Sequence, residues 1–293
     1  MFFLLLGLYF TSPIQSVHRW YRLPLIGMNV QPSEYAKLIV VLCLGWFLDR
    51  KKDSIKSFST SLQVLLITGI PFFLILKQPD LGTALVLYPI TLVMCYLGEV
   101  PRWIIKAFMF FGVIGLTAVA LIFTGTISHE KARPFFTSFM KEYQYERLNP
   151  NTYHQKASQI AISIGGITGS GWQKSSFSSK KWLPAAHTDS VFAAFGEEFG
   201  MAGLIFLVFL FYILIYLCFQ TARCAKDSFG RLLAAGIAVY LAMHVIVNIG
   251  MMCGFLPIAG VPLLLVSYGG NSVVTTMAAL GVLQSIYTRR FMF

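Results

Sequence analysis

The sequence predicts an all-α, polytopic membrane protein with about eight transmembrane helices, organised as one integral membrane domain over residues 1–293. Three observations lead to this fold class. The chain is 56% hydrophobic with a mean hydropathy of +0.69. Only 12% of its residues are charged, whereas soluble domains average about 25%. Its apolar residues also fall in runs long enough, or nearly long enough, to cross a membrane.

The apolar runs give the predicted helices in chain order. A spanning helix needs roughly 20 predominantly apolar residues. Met1–Phe10 is apolar but short, and neither a preceding basic residue nor a small-residue cleavage site marks it as a signal peptide. We therefore interpret it as a shortened first span. The other predicted spans are Ala36–Leu48, Leu62–Leu76, Leu81–Leu97, Trp103–Thr124, Met201–Cys218, Leu232–Gly250 and Val273–Ile286.

Basic residues in the short connections predict the orientation. They concentrate at residues 50–56, 102–106, 223–231 and 289–290, and short basic loops stay cytoplasmic. The outward-facing connections are then the N-terminal loop, Gln78–Gly82, a long extracytoplasmic loop over residues 126–188, and Pro257–Gly270. The net charge of +11 belongs to this topology and does not indicate a nucleic-acid partner. The five cysteines have neither disulfide nor metal-ligand spacing.

Two charged positions stand at the starts of predicted helices. Glu34 and Lys37 are three residues apart and share one helix face. An ion pair inside a membrane is costly unless it faces protein or water, so this pair indicates either a polar cavity or a structural link between helices. Asp80 lies in a turn between two apolar runs, where its ordinary role is to cap the next helix.

The long loop contains one predicted helix and one glycine-rich section. Tyr153–Ile164 has the pattern of an amphipathic helix lying on the membrane surface, and the glycines of Gly165–Gly171 predict a flexible or tightly turned section. Their spacing is not that of a phosphate-binding loop. His129, His154 and His187 do not have the spacing of a zinc site.

The rest of the chain is organised around Trp182–Gly200, in which Asp189 is the only aspartate. This residue stands where the polar loop meets the next apolar run, and therefore where water meets lipid. Partial desolvation raises the pKa of a carboxylate and makes it a better base. The alternative is that Thr188 or Asp189 caps the following helix.

The segment Pro257–Gly270 precedes the last apolar run and contains two prolines and several glycines. Such a composition predicts a re-entrant or broken helix. Irregular backbone at membrane depth is tolerated only against protein or a wet cavity, so this segment indicates a site. A kinked helix packed against its neighbours is the alternative.

Four of these stretches together resemble the SEDS family, which includes RodA, FtsW and SpoVE, and most of all its RodA members. The family usually has ten spans, so the resemblance implies that this chain begins in the third. Ser190 stands where the family usually has an aromatic or apolar residue. The matching residues cover nearly the whole chain and are Gln31–Glu34, Ala36-Lys37, Gln78–Thr83, Leu183-Pro184, His187–Asp189, Gly196–Gly200, Asn248–Gly250, Gly254, Pro257, Gly260–Pro262 and Val266–Gly270.

The resemblance implies a peptidoglycan glycosyltransferase that polymerises lipid II into glycan strands at the outer face of the bacterial cytoplasmic membrane. It would work with a class B penicillin-binding protein in a cell-wall synthesis complex, in cell elongation or division. In the family, the aspartate at the position of Asp189 is catalytic. The reaction joins the 4-hydroxyl of an acceptor sugar to the anomeric carbon of a lipid-diphosphate donor. Diphosphate leaves readily when cations screen it, so one carboxylate base should suffice.

Further residues are expected in the same cavity. Lys37, together with Arg19, would screen the diphosphate, and Glu34 would orient Lys37. Asp80 and the Ser267–Gly270 turn would shape the cavity or hold a divalent cation, Mg²⁺ or Mn²⁺. Asp80 and Asp189 are the candidate metal ligands. The other candidate substrate-binding residues are His187, Thr188, Ser267 and Tyr268.

Two other functions fit the same residues. A lipid II transporter would use the polar groups to line a path, and a non-catalytic scaffold would recruit the penicillin-binding protein. A transporter needs polar groups that reach both faces, whereas the polar groups here gather toward the predicted outer face, which favours the enzyme. A scaffold would tolerate Asp189→Asn, and an enzyme would not.

Overall fold

The structure, a computed structural model, is mostly helical in the part of the chain that it describes. It describes residues 2–8, 19–23, 28–78, 80–127, 130, 133–134, 137–138, 142–149 and 151–291, so Pro79 and His129 lie outside the described residues. The helices are α1 (Phe2–Gly7), α2 (Pro32–Arg50), α3 (Phe58–Lys77), α4 (Leu81–Leu97), α5 (Arg102–Phe123), α6 (Glu142–Glu146), α7 (Tyr153–Gly165), α8 (Ser176–Ser179), α9 (Val191–Cys224), α10 (Ser228–Cys253) and α11 (Gly270–Arg289).

One short antiparallel hairpin is the exception to the predicted all-α class. Strands β1 (Tyr21–Leu23) and β2 (Met28–Val30) pair with Tyr21 opposite Val30. The hairpin precedes α2, whose first turn contains Glu34, at the helix start that the sequence predicted. Three-residue strands leave too weak an alternation in the sequence to be recognised there.

The predicted apolar runs are helical where the structure describes them, except at Thr124, which follows the end of α5. Among the described residues, α3, α5, α9 and α10 are long and apolar enough to cross a membrane, and α4 is a shorter apolar helix. Helices α2 and α11 occupy the predicted places with 19 and 20 residues but carry more polar side chains. The structure therefore shows several membrane-spanning helices, and the number eight stays a prediction.

The chain divides into two compact units. The first comprises Met1–Gly112, Ile215–Met243 and Gly270–Phe293, and the second comprises Val113–Leu214 and His244–Gly269. In the first unit, α2 packs on α3, α4 and α11. Its buried core includes Leu5, Ala36, Val40, Ile75, Ala84 and Leu87.

In the second unit, helix α9 breaks at Gly200, which has φ +64° and ψ −166°. The glycine-rich section predicted to be tightly turned packs at this break. Backbone amides of Ser170 and Gly171 donate to the carbonyls of Glu197 and Glu198. In the other direction, Met201 and Ala202 donate to Gly166 and Ile167. Because these bonds replace helical ones, the backbone groups at the break remain paired.

A buried glutamate joins the loop to the first part of α9. Glu197 is fully buried, and its carboxylate accepts hydrogen bonds from the backbone amides of Phe177 and Ser178 at 2.7 and 2.9 Å. The hydroxyl of Ser178 donates to the same carboxylate at 2.5 Å. These hydrogen bonds satisfy the buried carboxylate. They also hold α8 against the residues that follow Asp189.

Helix α10 ends at Cys253 and α11 begins at Gly270, and the chain between them is irregular. Gly254 and Gly260 in this segment adopt positive φ angles, which explains the glycines there. Several side chains of the segment are buried, among them Val261, Leu263 and Leu264. The predicted break in the helix is therefore present as a partly buried, non-helical segment.

Candidate functional site

The irregular segment 254–269 holds the backbone that leads into Asp189. The amide of Tyr268 donates to the carbonyl of His187 at 2.7 Å. The hydroxyl of Ser267 donates to the carbonyl of Thr188, also at 2.7 Å, and accepts from the amide of Leu263 at 2.8 Å. Ser267 is buried, whereas Tyr268 is 82% exposed. Ser267 is thus placed to support the loop, and the ring of Tyr268 is accessible.

Asn248 in α10 completes this support at Asp189 itself. Its Nδ2 donates to the carbonyl of Asp189 at 2.9 Å and to the carbonyl of Val261 at 2.7 Å. The side chain is fully buried, and its Oδ1 has no hydrogen-bond partner among the described residues. One amide therefore links the loop, α10 and the irregular segment. Three consecutive carbonyls, those of residues 187–189, all accept hydrogen bonds.

The carboxylate of Asp189 lies beside Gly260 and near a cation. Asp189 is half-buried, as expected for a residue at the edge of an apolar run. A Cβ atom built on Gly260 would lie 3.6 Å from Oδ2 of Asp189 and 3.4 Å from Nη1 of Arg147. Gly260 has φ +70°, a conformation that glycine adopts without strain. The missing side chain also leaves room for the two charged groups.

His154 of α7 packs against the residue after Asp189. Its Nε2 lies 2.6 Å from the hydroxyl of Ser190, which is fully buried. Burial lowers the pKa of His154, and the positive charge of Arg147 lowers it further. His154 is therefore neutral at neutral pH. Ser190 stands where the family usually has an aromatic or apolar residue. Such a residue could not form the hydrogen bond to His154 that Ser190 forms here.

In the first unit, Asp80 caps α4, as its position in the turn predicted. Its Oδ1 accepts from the amide of Thr83 at 3.3 Å. Its Oδ2 accepts from Ser33 at 2.7 Å, Gln31 at 2.9 Å and the Thr83 hydroxyl at 3.0 Å. Both oxygens are satisfied by protein, so this carboxylate connects the start of α2 to the start of α4.

Arg19 lies close to this buried carboxylate. Its Nε donates to the carbonyl of Gln78 at 2.9 Å. Burial alone would raise the pKa of Asp80, but the charge of Arg19 and the bonds from Ser33 and Thr83 outweigh burial and hold that pKa below its ordinary value. Asp80 is therefore ionised.

Glu34 and Lys37 form the predicted ion pair. The Nζ of Lys37 lies 2.7 Å from Oε1 of Glu34 and 5.4 Å from the centre of the Tyr240 ring. Lys37 is 1% exposed, so its charge is balanced inside the unit. Oε2 of Glu34 is buried and has no hydrogen-bond partner among the described residues. The contact of Lys37 with a substrate diphosphate stays a prediction.

The predicted site residues fall into two clusters, each within one unit. His187, Thr188, Asp189, Ser267 and Tyr268 belong to the second unit. Arg19, Glu34, Lys37 and Asp80 belong to the first. That both clusters serve one cavity stays a prediction.

Sequence reasoning missed the support that Asn248 gives to Asp189 and the position of Arg147 near it. Asn248 carried a recognisable signal, because an amide within an apolar span has to find partners in protein. Arg147 carried none, since it is one of several basic residues in a long loop.

In the part of the chain that the structure describes, three or more metal-ligating side chains do not gather in any one place. Asp80 also fits a metal poorly, because protein donors already occupy its oxygens. Asp189 is the candidate ligand that remains.

These features define a helical, polytopic membrane protein with a half-buried carboxylate held on a loop at the edge of a span. The chain matches the family described as cell cycle protein, FtsW/RodA/SpoVE, over residues 1–291. It therefore belongs to that family, which is the one that the motifs indicated.

Similar proteins include peptidoglycan glycosyltransferases. The chain is 35% identical over 289 residues to peptidoglycan glycosyltransferase MrdB of Escherichia coli K12, covering 95% of this chain and 73% of the relative. It is 32% identical over 273 residues to the probable peptidoglycan glycosyltransferase FtsW of Geobacter sulfurreducens, covering 92% and 70%.

Two solved structures show the same fold over the whole chain. A structure described as structural coordination of polymerization and crosslinking by a peptidoglycan synthase complex aligns with a TM-score of 0.74 and 29% identity, covering 80% of that chain. The rod shape determining protein RodA of Thermus thermophilus aligns with a TM-score of 0.67 and 26% identity, covering 76%.

Proposed function

We propose that this chain is a peptidoglycan glycosyltransferase that polymerises lipid II, with Asp189 as the general base. The observation that carries the proposal is the support of residues 187–189 by Tyr268, Ser267 and Asn248, which fixes the backbone of one half-buried carboxylate. Family membership and the names of the relatives supply the reaction class.

The reaction needs one proton transfer. Asp189 accepts the proton of the acceptor sugar's 4-hydroxyl while the oxygen of that hydroxyl bonds to the anomeric carbon of the donor. The bond from that carbon to the lipid diphosphate breaks, and the diphosphate leaves with the electron pair. No acid is required at the leaving group, so a single carboxylate can serve. The proton then passes from Asp189 to water.

Rigid support of the base has a direct kinetic consequence. A base acts only within hydrogen-bond reach of its proton, roughly 2.6–3.2 Å between heavy atoms. Displacement by about 1 Å can cost roughly 100-fold in rate. His187, Thr188, Ser267 and Tyr268 contribute here by fixing the loop, and exposed Tyr268 is also placed to meet substrate.

The charged residues of the first unit have proposed roles of their own. Lys37, oriented by Glu34, and Arg19 would balance the negative charge of the diphosphate. Asp80 keeps the starts of α2 and α4 together, and so supports the helix that carries Lys37. If Lys37→Ala leaves both turnover and lipid II affinity intact, the role of Lys37 is wrong.

The proposed setting follows from the same interpretation. Helices α2, α4 and α11 would cross the bacterial cytoplasmic membrane together with the four longer apolar helices, and the shortened first span that contains α1 brings the number to about eight. The segment 254–269 would be re-entrant from the outer face. A class B penicillin-binding protein is the proposed partner, by analogy with the similar chain in a peptidoglycan synthase complex.

A divalent cation, Mg²⁺ or Mn²⁺, is proposed as the one cofactor. When bound, it would supply positive charge to the diphosphate leaving group. Asp189 is the residue best placed to contact it, because Asp80 is already satisfied. Chelation with EDTA should then lower turnover, and added Mg²⁺ or Mn²⁺ should restore it.

The decisive experiment compares the wild type with Asp189→Asn, each purified with its cognate penicillin-binding protein, in lipid II polymerisation. Asparagine keeps the size of the side chain and removes the base, so turnover should fall by about 100-fold or more. Asp227→Asn is the matched control, because Asp227 caps the amide of Gly230 at 2.9 Å in the first unit.

Each outcome has a clear meaning when both variants stay folded and complexed. Loss of turnover in Asp189→Asn alone supports the base. Turnover at the wild-type level in both variants refutes the role of Asp189 as the base. A wild type that makes no glycan would favour the transporter or the scaffold.

A further inference from the structure

A cavity of about 260 Å³ lies where the start of α10 meets the end of α11, in the first unit. Gly230 lets the two helices approach there, because a Cβ atom built on it would lie 3.4 Å from the side chain of Ile286. The volume is several times the roughly 30 Å³ that one water molecule takes up, so a phosphate group has room inside. None of the predicted site residues is among the residues that line this cavity.

Three cations and one carboxylate line the cavity. Lys226 precedes α10, Arg289 is the last residue of α11, and Arg290 follows it. Lys226 and Arg289 are exposed, so the cavity opens to the surface beside them. The carboxylate is that of Asp227, which serves as a helix cap, because its Oδ2 accepts the amide of Gly230 at 2.9 Å. With three positive charges and one negative charge, the lining has a net charge of +2.

Arg290 is held in place by two aromatic rings. Its guanidinium carbon lies 3.6 Å from the centre of the Tyr287 ring and 4.5 Å from the centre of the Phe291 ring. Such stacking fixes the plane of a guanidinium, whose N–H groups point outward within that plane toward acceptors. Nε of Arg290 is buried and has no hydrogen-bond partner among the described residues. An unpaired buried donor costs free energy, which an acceptor brought by a ligand would recover.

The remaining walls of the cavity are mostly apolar, and they are formed by Phe229, Leu233, Val282 and Ile286. Helix α10 is long and apolar enough to cross a membrane, and the basic residues predict that this end of it is cytoplasmic. Tyr287 is 42% exposed beside the cavity, and tyrosine is typical of the boundary between water and lipid. A matching ligand therefore combines a negative head with an apolar body and lies at the membrane surface.

We propose that this cavity binds an anionic phospholipid of the cytoplasmic leaflet. The three cations bind its phosphodiester, and the apolar walls contact the start of an acyl chain. Basic pockets between membrane helices bind anionic lipid headgroups in this way. Free phosphate or an acidic peptide would match the cations and leave the apolar walls without a partner. The proposal is independent of the reaction assigned to Asp189.

The test is the binding of dioleoyl phosphatidylglycerol to the purified full chain in a neutral detergent, titrated by native mass spectrometry. Arg289→Gln combined with Arg290→Gln should weaken binding of the first lipid molecule by roughly 10–30-fold, the size expected for two cations at a membrane surface. Ser285→Trp places a bulky side chain in the lining and keeps every charge. It should weaken binding as well, because it takes the space of the acyl chain.

Arg50→Gln combined with Lys51→Gln is the matched control. Arg50 ends α2 and its guanidinium carbon lies 5.2 Å from the centre of the Trp46 ring, so it too is a cation stacked at a helix end. Arg50 and Lys51 belong to a connection predicted to be cytoplasmic and do not line the cavity. The control removes the same charge, so it measures the general attraction of a basic surface for anionic lipid. Binding should stay within about threefold of wild type.

Three competitors identify the chemistry of the ligand. Dioleoyl phosphatidylcholine has the same chains and no net charge, glycerol 3-phosphate has the phosphate without chains, and a hexaglutamate peptide has negative charge on a protein segment. None of them should displace phosphatidylglycerol at equal concentration, because each lacks either the charge or the apolar body.

Several results would overturn the proposal. If the Arg289/Arg290 variant binds phosphatidylglycerol as the wild type does, or if both double variants weaken binding equally, the lipid does not bind in this cavity. Displacement by phosphatidylcholine would mean that the charges do not select the ligand. Displacement by glycerol 3-phosphate would indicate a site for a free anion, and displacement by the peptide would indicate a site for an acidic protein segment.

Discussion

Replacement of Asn248 by leucine tests how firmly Asp189, the proposed base, is held. The substitution keeps the branched shape and the number of heavy atoms of the side chain and removes the donor to the carbonyls of Asp189 and Val261. Each buried carbonyl left unpaired costs about 1–3 kcal/mol, and loss of the unpaired Oδ1 offsets part of this. We expect the free energy of unfolding to fall by about 2–4 kcal/mol. With the loop released, turnover per folded molecule should fall by about 100-fold.

Gln155→Leu is the matched control for this experiment. Gln155 is also a buried amide with an unpaired oxygen, and it donates to the same irregular segment, at Leu256, but not to residues 187–189. It should lose about 1–2 kcal/mol of stability and keep turnover within about threefold. Stability is measured by thermal unfolding in detergent, and turnover by lipid II polymerisation corrected for the folded fraction. If Asn248→Leu is destabilised yet polymerises normally per folded molecule, the amide does not position the base.

Two further predictions concern the folded state. Gly200→Ala should lower the free energy of unfolding by about 2–5 kcal/mol, because φ is +64° and the new methyl group would overlap the backbone of Gly169. The control is Gly115→Ala, whose new methyl group meets no atom within 4 Å. It should be near neutral or stabilising when both variants are compared by thermal unfolding in detergent. The lowered pKa of Asp80 contributes stability above about pH 3.9, the unfolded value, and this contribution is lost as the pH falls through the lower folded pKa. Melting temperatures from pH 2.5 to 6 should show this loss in the wild type and not in Asp80→Asn; equal curves would contradict the ionised, satisfied carboxylate.

Local pattern was enough to predict the long helices and the cap at Asp80. A long apolar run in a membrane forms a helix because its backbone polar groups must be paired within the segment. Helix α4, for example, has the predicted bounds Leu81–Leu97. The spacing of Glu34 and Lys37 likewise fixed their contact, because residues three apart in a helix are neighbours.

Contacts between distant segments could not be predicted in the same way. The break in α9 at Gly200 depends on hydrogen bonds between residues 166–171 and 197–202, about 30 residues apart. Arg147 and Asp189 likewise meet at Gly260 only because three separate segments fold together. Sequence periodicity carries no information about such long-range contacts, which form only in the tertiary structure.

The hydrogen bonds at the break in α9 turn the chain that carries Asp189 into a closed ring. Residues 166–171 pair with residues 197–202, so residues 172–196 leave and return at one junction. Within the ring, Asp189 is held by Asn248 and the irregular segment rather than by the length of chain that precedes it. Because Glu197 also binds Phe177 and Ser178, the ring is held at its junction, at α8 and at Asp189. The position of this carboxylate is therefore set by contacts inside the ring and with the irregular segment, and not by the part of the outer loop that precedes residue 166.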